Sequence, residues 1–337
     1  MDYKNLTTQS PLVSVICLCH NHAPYVRAAL QSVLAQSYAL VELIVVDDAS
    51  SDGSPSVIRQ FVREHPRVAA LFNGKNRGNC RSFNRALRQA RGELIIDLAA
   101  DDVLRPERIA RQVEGFRSAG ETVGVLFHNV RYIDADGQPQ GTYFPADEQG
   151  KTTVSVPQGD LFAALLRHRP VCAPSMMMRR AVLDGMGGYD EALAYEDFDF
   201  WVRSSRQWAY RYQDEILTEK RVLGHSLGSR FYRVRNELLP TAFIVCQKAK
   251  HLTQTPEEHA ALAFRVRYFV RQCWYTHHFG LAREFARLLE TIDPLTRLVL
   301  QACRWHVPIH AAYLVYLRRK LEPQGLTPTP LRRGEGL

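Results

Sequence analysis

Three clusters of carboxylates in this 337-residue chain have the residue types and positions that catalysis or metal binding requires. Asp47 and Asp48 end one apolar run, Asp101 and Asp102 follow another, and Asp197 lies in a third cluster, Glu-Asp-Phe-Asp. Carboxylate oxygens are the ligands that hard divalent cations prefer, and a carboxylate beside an apolar wall suits general base catalysis. The clusters therefore predict metal-assisted or acid–base chemistry.

Each cluster also has a purely structural interpretation. The pair at Asp101 precedes Pro106 and is typical of a helix N-cap. The pair at Asp47 is typical of an Asx-turn, and the cluster at Asp197 is typical of an acidic first helical turn. The residues alone leave both interpretations open.

The elements that must position these side chains alternate along the first hundred residues. Short apolar runs predict strands at Val13–Cys19, Leu43–Val46, Val68–Phe72 and Glu93–Leu98. Apolar residues at helical spacing predict the intervening helices at Tyr25–Gln36, Val57–Glu64 and Arg81–Ala90. Such alternation implies right-handed crossovers and a mostly parallel α/β sheet. Ligands bind beyond the carboxyl ends of strands in such sheets, which is where His20, Asp48 and Asp101 fall.

The remainder of the chain divides into a mixed region and a helical one. Asp134–Lys151 is rich in Gly, Pro and Asp and predicts a loop or hairpin, whereas Glu196–Arg206 predicts a short helix. Four further helices are predicted at Glu237–Lys250, Glu257–Thr276, Leu281–Thr291 and Leu295–Leu321. We therefore expect a catalytic domain at 1–230, a helical region at 231–321 and a flexible tail at 322–337.

The net charge of +8 is unevenly distributed along the chain. Residues 1–200 contain 21 basic and 24 acidic side chains, whereas residues 201–337 contain 22 and 11. This asymmetry predicts either an anionic partner for the second part or a solvated basic helical surface. The basic residues that favour peripheral contact with an anionic membrane or a charged acceptor are Arg265, Arg267, Arg271, Arg318, Arg319 and Lys320.

Several classes of protein are disfavoured by features that the sequence lacks. The seven cysteines are odd in number and form no CxxC pair, which favours reduced thiols and a cytoplasmic compartment. The polar stretch Met1–Ser10 is not typical of a secretory signal. Dinucleotide-binding GxGxxG, P-loop, GxSxG and HExxH motifs are absent, which argues against dinucleotide, P-loop, α/β-hydrolase and zinc chemistry.

Eight segments within about residues 11–230 together resemble the family 2 glycosyltransferases, which have the GT-A fold. In order they are VSVICLCHN, QSVLAQSY, VVDDASSDGS, NRGNCRSFN, LAADDVL, GGYDE, YEDFDFWVR and RVLGHSLGS. The resemblance implies a Rossmann-like, mostly parallel sheet with flanking helices and an inverting, non-processive transferase. Such an enzyme moves one sugar from a nucleoside-diphosphate sugar, with UDP or dTDP favoured, to a hydroxyl of a glycan or lipid-linked acceptor. It also implies Mg²⁺ or Mn²⁺, a role in bacterial surface polysaccharide synthesis and no nucleic-acid partner.

The resemblance assigns roles to individual residues. Asp197 corresponds to the catalytic base, and Asp101 to the last carboxylate of the DxD element, which holds the metal ion on the diphosphate. His225 corresponds to a histidine that contacts the metal ion or the diphosphate. The residues expected at the nucleotide and sugar are His20, Asp48, Asn76, Gly78 and Asn84.

The sequence departs from the family pattern at two positions. Ala99 occupies the first position of DxD, and Phe83 stands where many members have Arg. Two other functions remain open: a sugar-phosphate nucleotidyltransferase, and a nucleotide-sugar- or glycan-binding protein without transferase activity. A nucleotidyltransferase should have a basic, Gly-rich phosphate loop near the first strand, and His20–His22 does not provide one. A binding protein without transferase activity does not need three carboxylate clusters.

Overall fold

The computed structural model describes residues 10–168, 170–223 and 230–321, and every structural statement below concerns these residues. One mixed sheet of nine strands runs through this part of the chain. The strands are β1 (Val13–Cys19), β2 (Val41–Asp47), β3 (Ala69–Phe72), β4 (Leu94–Ala99), β5 (Val103–Leu104), β6 (Val123–Ile133), β7 (Pro139–Thr142), β8 (Met177–Arg179) and β9 (Ala209–Arg221).

The sheet has a parallel half and a mixed half. Its order is β3-β2-β1-β4-β8-β6-β9-β5, with β7 paired to β6. The first four strands in this order run parallel, as their uninterrupted apolar runs predict for strands buried on both faces. Strand β8 is antiparallel to both neighbours, and β6 and β9 pair in parallel.

Helices cover both faces of the sheet. They are α1 (Val26–Leu34), α2 (Ser54–Glu64), α3 (Asn79–Leu87), α4 (Arg108–Ala119), α5 (Phe162–His168), α6 (Arg180–Met186), α7 (Asp197–Ser204), α8 (Leu238–Leu252), α9 (Pro256–Tyr275), α10 (Phe279–Ala286), α11 (Pro294–Arg304) and α12 (His310–Leu321). Helices α1, α2 and α4 pack in one hydrophobic cluster, and α3 and α5 to α11 contribute to the other. The predicted α/β sheet followed by a helical region is therefore confirmed.

The helical region shares its core with the α/β part. The ring of Phe198 on α7 lies 6.0 Å from that of Phe269 on α9, and Phe269 stacks on Phe285 of α10 at 5.3 Å. All three phenylalanines are fully buried in the larger cluster. Helix α7 is therefore held between the sheet and the C-terminal helices.

Some predicted elements differ from the observed ones. The single helix predicted at Leu295–Leu321 is wrong, because His306 has a φ of 53° and Pro308 lacks a backbone N–H, which separates α11 from α12. Strands β6 and β9 were not predicted, since their polar positions obscure the strand pattern. The three methionines at Met176–Met178 are buried in the core.

The basic residues expected on a lipid-facing surface do not share one environment. Arg265 is buried, and its guanidinium donates to the carbonyls of Leu166 and Arg167, so it is not available to lipid. Arg267 pairs with Asp293 at 2.6 Å. Arg271 on α9 is half-buried. The side chains of Arg318, Arg319 and Lys320, like the tail at 322–337, lie outside the described residues.

Asn84 on α3 fixes the loop that precedes α7. Its amide Nδ2 donates to the carbonyl of Tyr189 at 2.8 Å, and its Oδ1 accepts from the Tyr189 N–H at 2.9 Å. Gly188 has a φ of +82°, and a Cβ at this position would lie 2.5 Å from Asn84 Oδ1. Close approach of the two segments therefore requires glycine at 188.

This clamp can be tested by comparing two adjacent glycines. Gly187→Ala and Gly188→Ala both introduce a Cβ at positive φ, which costs about 1–2 kcal/mol, but a Cβ at 187 meets no atom within 4 Å. We expect Gly188→Ala to lower the free energy of unfolding by about 1–3 kcal/mol more than Gly187→Ala, because of the added clash. Urea denaturation measures both, and equal losses would show that Asn84 does not constrain the loop.

Candidate active site

The carboxyl ends of three parallel strands are aligned and bring the predicted site residues to one edge. Cys19 at the end of β1 pairs with Asp47 at the end of β2, and Leu18 pairs with Ala99 at the end of β4. The chain leaves the sheet at these points. The alignment places His20, Asp48 and Asp101 just beyond the same edge, as the alternation of elements predicts.

Asp48 organises the loop that enters α3. Its Oδ1 accepts from the Asn73 amide at 2.7 Å and the Arg77 backbone N–H at 2.8 Å, and its Oδ2 accepts from the Gly78 N–H at 2.8 Å. A carboxylate has about four acceptor positions, so these three bonds leave one. The remaining position is on Oδ2, which suits one N–H donor from a ligand such as a base.

His20 and Asn76 lie beside Asp48. His20 Nδ1 is 2.9 Å from the backbone carbonyl of Asp48, so this nitrogen carries the proton and Nε2 is the acceptor. Asn76 Nδ2 lies 3.3 Å from that Nε2, and Asn76 Oδ1 accepts from the Gly78 N–H at 3.0 Å. Four of the five residues predicted at the nucleotide are thus neighbours, whereas Asn84 is buried and bonded to the Tyr189 loop.

Arg221 fixes the segment that follows β4. Its backbone N–H donates to Asp102 Oδ1 at 2.9 Å, and its guanidinium donates to the carbonyl of Asp101 at 3.1 Å and lies 4.6 Å from the Tyr25 ring centre. Helix α4 begins at Arg108 after Glu107, without a side-chain cap. The helix-capping interpretation of the aspartate pair is therefore wrong.

Asp101 is largely buried just beyond the same strand ends, and His22 is an ionisable neighbour. His22 Nδ1 lies 3.9 Å from Asp101 Oδ1, and this nitrogen is buried without a hydrogen-bond partner among the described atoms. In the part of the chain that the structure describes, no three His, Cys, Asp or Glu side chains converge as a complete metal site. A cation held here would use Asp101, with His22 at hand, and take its other ligands from phosphate and water.

Lys220, at the end of β9, is a site residue that the sequence did not identify. Cys172 and the carboxylates of Asp102 and Asp197 raise the pKa of the Lys220 ammonium, against the effect of burial. The ammonium therefore interacts electrostatically with both carboxylates. Lys220 lies in TEKR, the mostly charged end of β9. The spacing of these charges matches no functional motif, so the sequence does not single out Lys220.

The start of α7 presents a group of acidic side chains. Asp197 is its first residue, and the preceding Glu196 lies near Asp97 of β4, to which the Tyr189 hydroxyl donates at 3.2 Å. Burial, then the charges of Asp97 and Asp197, raises the pKa of Glu196 to about 8. Burial likewise raises the pKa of Asp97. Glu196 is therefore largely protonated at neutral pH.

Asp199 lies on the opposite side of α7 from Asp197, as the spacing of two residues predicts. It is only 1% exposed, and it accepts from Arg203 Nε and Lys248 Nζ, both at 2.7 Å. Lys248 also pairs with Asp190 at 2.6 Å. Asp199 is therefore a structural residue that joins α7 to α8 and to the loop before α7.

His225, the predicted metal or diphosphate ligand, lies outside the described residues, so its role stays a prediction. All seven cysteines are free and buried in the structure. No helix in the described ranges is both long and apolar enough to cross a bilayer.

The protonation of Glu196 predicts a dependence of stability on pH. The folded chain binds a proton at Glu196 up to about pH 8, whereas an unfolded glutamate releases it near 4.5, so stability falls as pH rises from 5 to 8. Glu196→Gln removes this contribution, and we expect its melting temperature to fall less over that range than that of the wild type. Glu114→Gln, which changes an exposed carboxyl, is the control; an identical pH slope in Glu196→Gln and wild type would contradict the assignment.

Solved structures share the fold of this chain. The crystal structure of S. aureus TarS 1-349 matches with a TM-score of 0.64 at 16% identity, covering 94% of this chain and 92% of that chain. The mannosyltransferase PcManGT from Pyrobaculum calidifontis, in complex with GDP-Man and Mn²⁺, matches with a TM-score of 0.57 at 18% identity, covering 94% and 85%. The likeness confirms the predicted GT-A fold.

Curated relatives match over part of the chain. An uncharacterised glycosyltransferase of Rickettsia typhi is 27% identical over 217 residues, which is 64% of this chain and 65% of that protein. The succinoglycan biosynthesis protein ExoO of Rhizobium meliloti is 34% identical over 128 residues, 38% of this chain and 36% of that protein. The chain thus spans less than two thirds of the length of these relatives.

The model of the family described as glycosyl transferase family 2 matches residues 14–186, which is just over half of the chain. The matched range contains the aligned strand ends, the Asp48 loop and the Asp101 segment. On this match, in agreement with the relatives and the fold, the chain belongs to glycosyl transferase family 2.

Proposed function

We propose that this protein is a metal-dependent inverting glycosyltransferase that moves a single sugar from a nucleoside-diphosphate sugar to an acceptor hydroxyl. The observation that carries the proposal is the meeting of Asp48, Asp101 and His20 at one edge of the sheet. The start of α7 and Lys220 face the same segment. In this proposal, these residues supply a base-binding group, a diphosphate-binding region and a general base.

The donor is proposed to be a UDP- or dTDP-sugar. The free acceptor position of Asp48 Oδ2 matches the N3–H of uracil or thymine, which cytosine lacks, and the exposed His20 ring offers a face for stacking. Asn76 and the N-terminus of α3 lie next to both. Solved structures of TarS contain UDP and UDP-GlcNAc, which supports the nucleotide class.

Asp101 is the proposed ligand of Mg²⁺ or Mn²⁺, with His22 beside it and His225 as the further candidate from the sequence. Bound there, the ion neutralises charge on the leaving diphosphate. The PcManGT structure contains Mn²⁺, which supports a divalent cation in this fold. Asp102 is held by the Arg221 N–H and keeps the segment in place.

Asp197 is the proposed general base, which takes the proton of the acceptor hydroxyl as that oxygen attacks the anomeric carbon. The Phe198 N–H donates to Asp197 Oδ1 at 2.6 Å, which orients the carboxylate. Lys220 adds positive charge between Asp197 and Asp102, which stabilises charge that develops on the diphosphate. The acceptor is proposed to be a glycan or a lipid-linked glycan, handled in the cytoplasm during bacterial surface polysaccharide synthesis, as the name of the ExoO relative supports.

The base assignment predicts a specific kinetic defect. Asp197→Asn should lower turnover by roughly 10²–10⁴-fold, the usual contribution of a general base, and leave donor binding within about threefold of wild type. Assays with UDP-, dTDP- and GDP-sugars and Mn²⁺ measure turnover, and calorimetry with the nucleoside diphosphate measures donor binding. Asp184→Asn, an exposed carboxylate on α6, is the control, and near wild-type turnover in Asp197→Asn would exclude this residue as the base.

The Lys220 assignment makes a separate prediction. Lys220→Met keeps the aliphatic stem and removes the cation, so we expect turnover to fall by roughly 10-fold or more, mainly in kcat. Lys220→Arg restores the charge and should recover part of the activity. If Lys220→Met kept full turnover while retaining wild-type stability, the cation would have no role in the reaction.

A further inference from the structure

The exposed apolar side chains of the described chain are concentrated near its C-terminal end. Seven of the fourteen large apolar residues that are exposed fall between 292 and 316: Ile292, Leu295, Leu298, Trp305, Val307, Val315 and Tyr316. Leu298 is 67% and Trp305 68% exposed. Scattered single residues of this kind are ordinary, but such a concentration marks an interaction surface.

The orientation of α11 is fixed, so its exposed face is a stable feature. Asp293 caps the helix by accepting from the Thr296 N–H at 3.0 Å, and the same carboxylate pairs with Arg267 of α9. Thr296, Val299 and Cys303 form the buried stripe against the core. The helical period then places Leu295, Leu298 and Trp305 on a second stripe that faces outward, which we call the apolar stripe.

A cationic stripe lies next to the apolar stripe. Arg297, Gln301 and Arg304 recur at helical spacing, and all three are exposed. Residues 294–320 contain five Lys or Arg and no Asp or Glu. Helix α12 continues the pattern, since it docks through Tyr313 on Gln272 and Tyr275 and leaves Val315 and Tyr316 exposed.

We propose that residues 292–316 form a docking surface for an anionic lipid bilayer, with the apolar stripe in the headgroup region and the cationic stripe against lipid phosphates. Leu, Trp and Tyr beside Arg are the composition of helices that lie in the plane of a membrane surface. Trp and Tyr in particular favour that interface. This proposal does not depend on transferase activity.

A second copy of the chain is a less suitable occupant of this surface. A twofold dimer would place the same patch on both sides of the interface. Residues 294–320 have five cations and no acidic side chain, and the carboxylate of Asp293 is already paired with Arg267, so the two cationic stripes would repel each other. An anionic bilayer provides the opposite charge over the whole patch.

Vesicle sedimentation of the whole protein tests the proposal. We expect binding to vesicles of equal parts phosphatidylglycerol and phosphatidylcholine, little binding to phosphatidylcholine alone, and weakening from about 50 mM to about 500 mM NaCl. Leu298→Asn should weaken binding roughly 10-fold or more, and Arg297→Gln with Arg304→Gln roughly 30-fold. The matched controls are Val154→Asn and the pair Arg63→Gln with Arg67→Gln, also exposed, which should change binding less than about twofold.

Insertion of Trp305 into the bilayer can be measured directly, without a variant that binds vesicles more weakly. Brominated lipids should quench the fluorescence of Trp305, and Trp305→Phe should bind vesicles as wild type does but lose most of that quenching. Absence of binding to the anionic vesicles at low salt would overturn the proposal. So would a concentration-dependent dimer, seen by sedimentation equilibrium and broken by Leu298→Asn, in a protein that does not bind these vesicles.

Discussion

The geometry of the candidate site depends on the neutralisation of one buried carboxylate, Asp199. An ionised group with 1% exposure is stable only when cations and hydrogen bonds replace its water. Arg203 from its own helix and Lys248 from α8 do this, and Arg203 also donates to the carbonyls of Met186 and Gly188 in the loop before α7. One charge therefore sets the position of α7 relative to that loop and to α8, and with it the position of Asp197 on the other side of the helix.

The parallel half of the sheet follows from local sequence, whereas the mixed half does not. Strands buried on both faces need continuous apolar runs, so Val13–Cys19 and its neighbours are evident, and the aligned ends of such strands place His20, Asp48 and Asp101 together. Strand β9 has six charged residues among its thirteen and pairs along its length with β6. That pairing is a tertiary property, and Lys220 reaches the site only through it.

The positions of individual site residues are predictable to different degrees, because some are set by the local strand and others by tertiary packing. Residues directly after a strand have their direction set by the sheet, as Asp48 does. Asn84 and His22 have theirs set by packing between distant segments: Asn84 turns toward the Tyr189 loop, and His22 faces Asp101 across the edge of the sheet. A motif match locates such residues in the right region, but their contacts depend on side-chain packing that one sequence does not encode locally.

The uneven charge of the chain has a consequence at the site itself. Buried carboxylates at Asp97, Asp102 and Glu196 have raised pKa values, chiefly because of burial, so the cleft already tolerates little further negative charge. Lys220, in the basic part of the chain, and Arg108 supply compensating positive charge at Asp102. Ala99, which stands where the family pattern has the first carboxylate of DxD, also reduces the negative charge of the site. A diphosphate would bring additional negative charge, so Ala99 in place of a carboxylate and the Lys220 cation make this acidic site better suited to it.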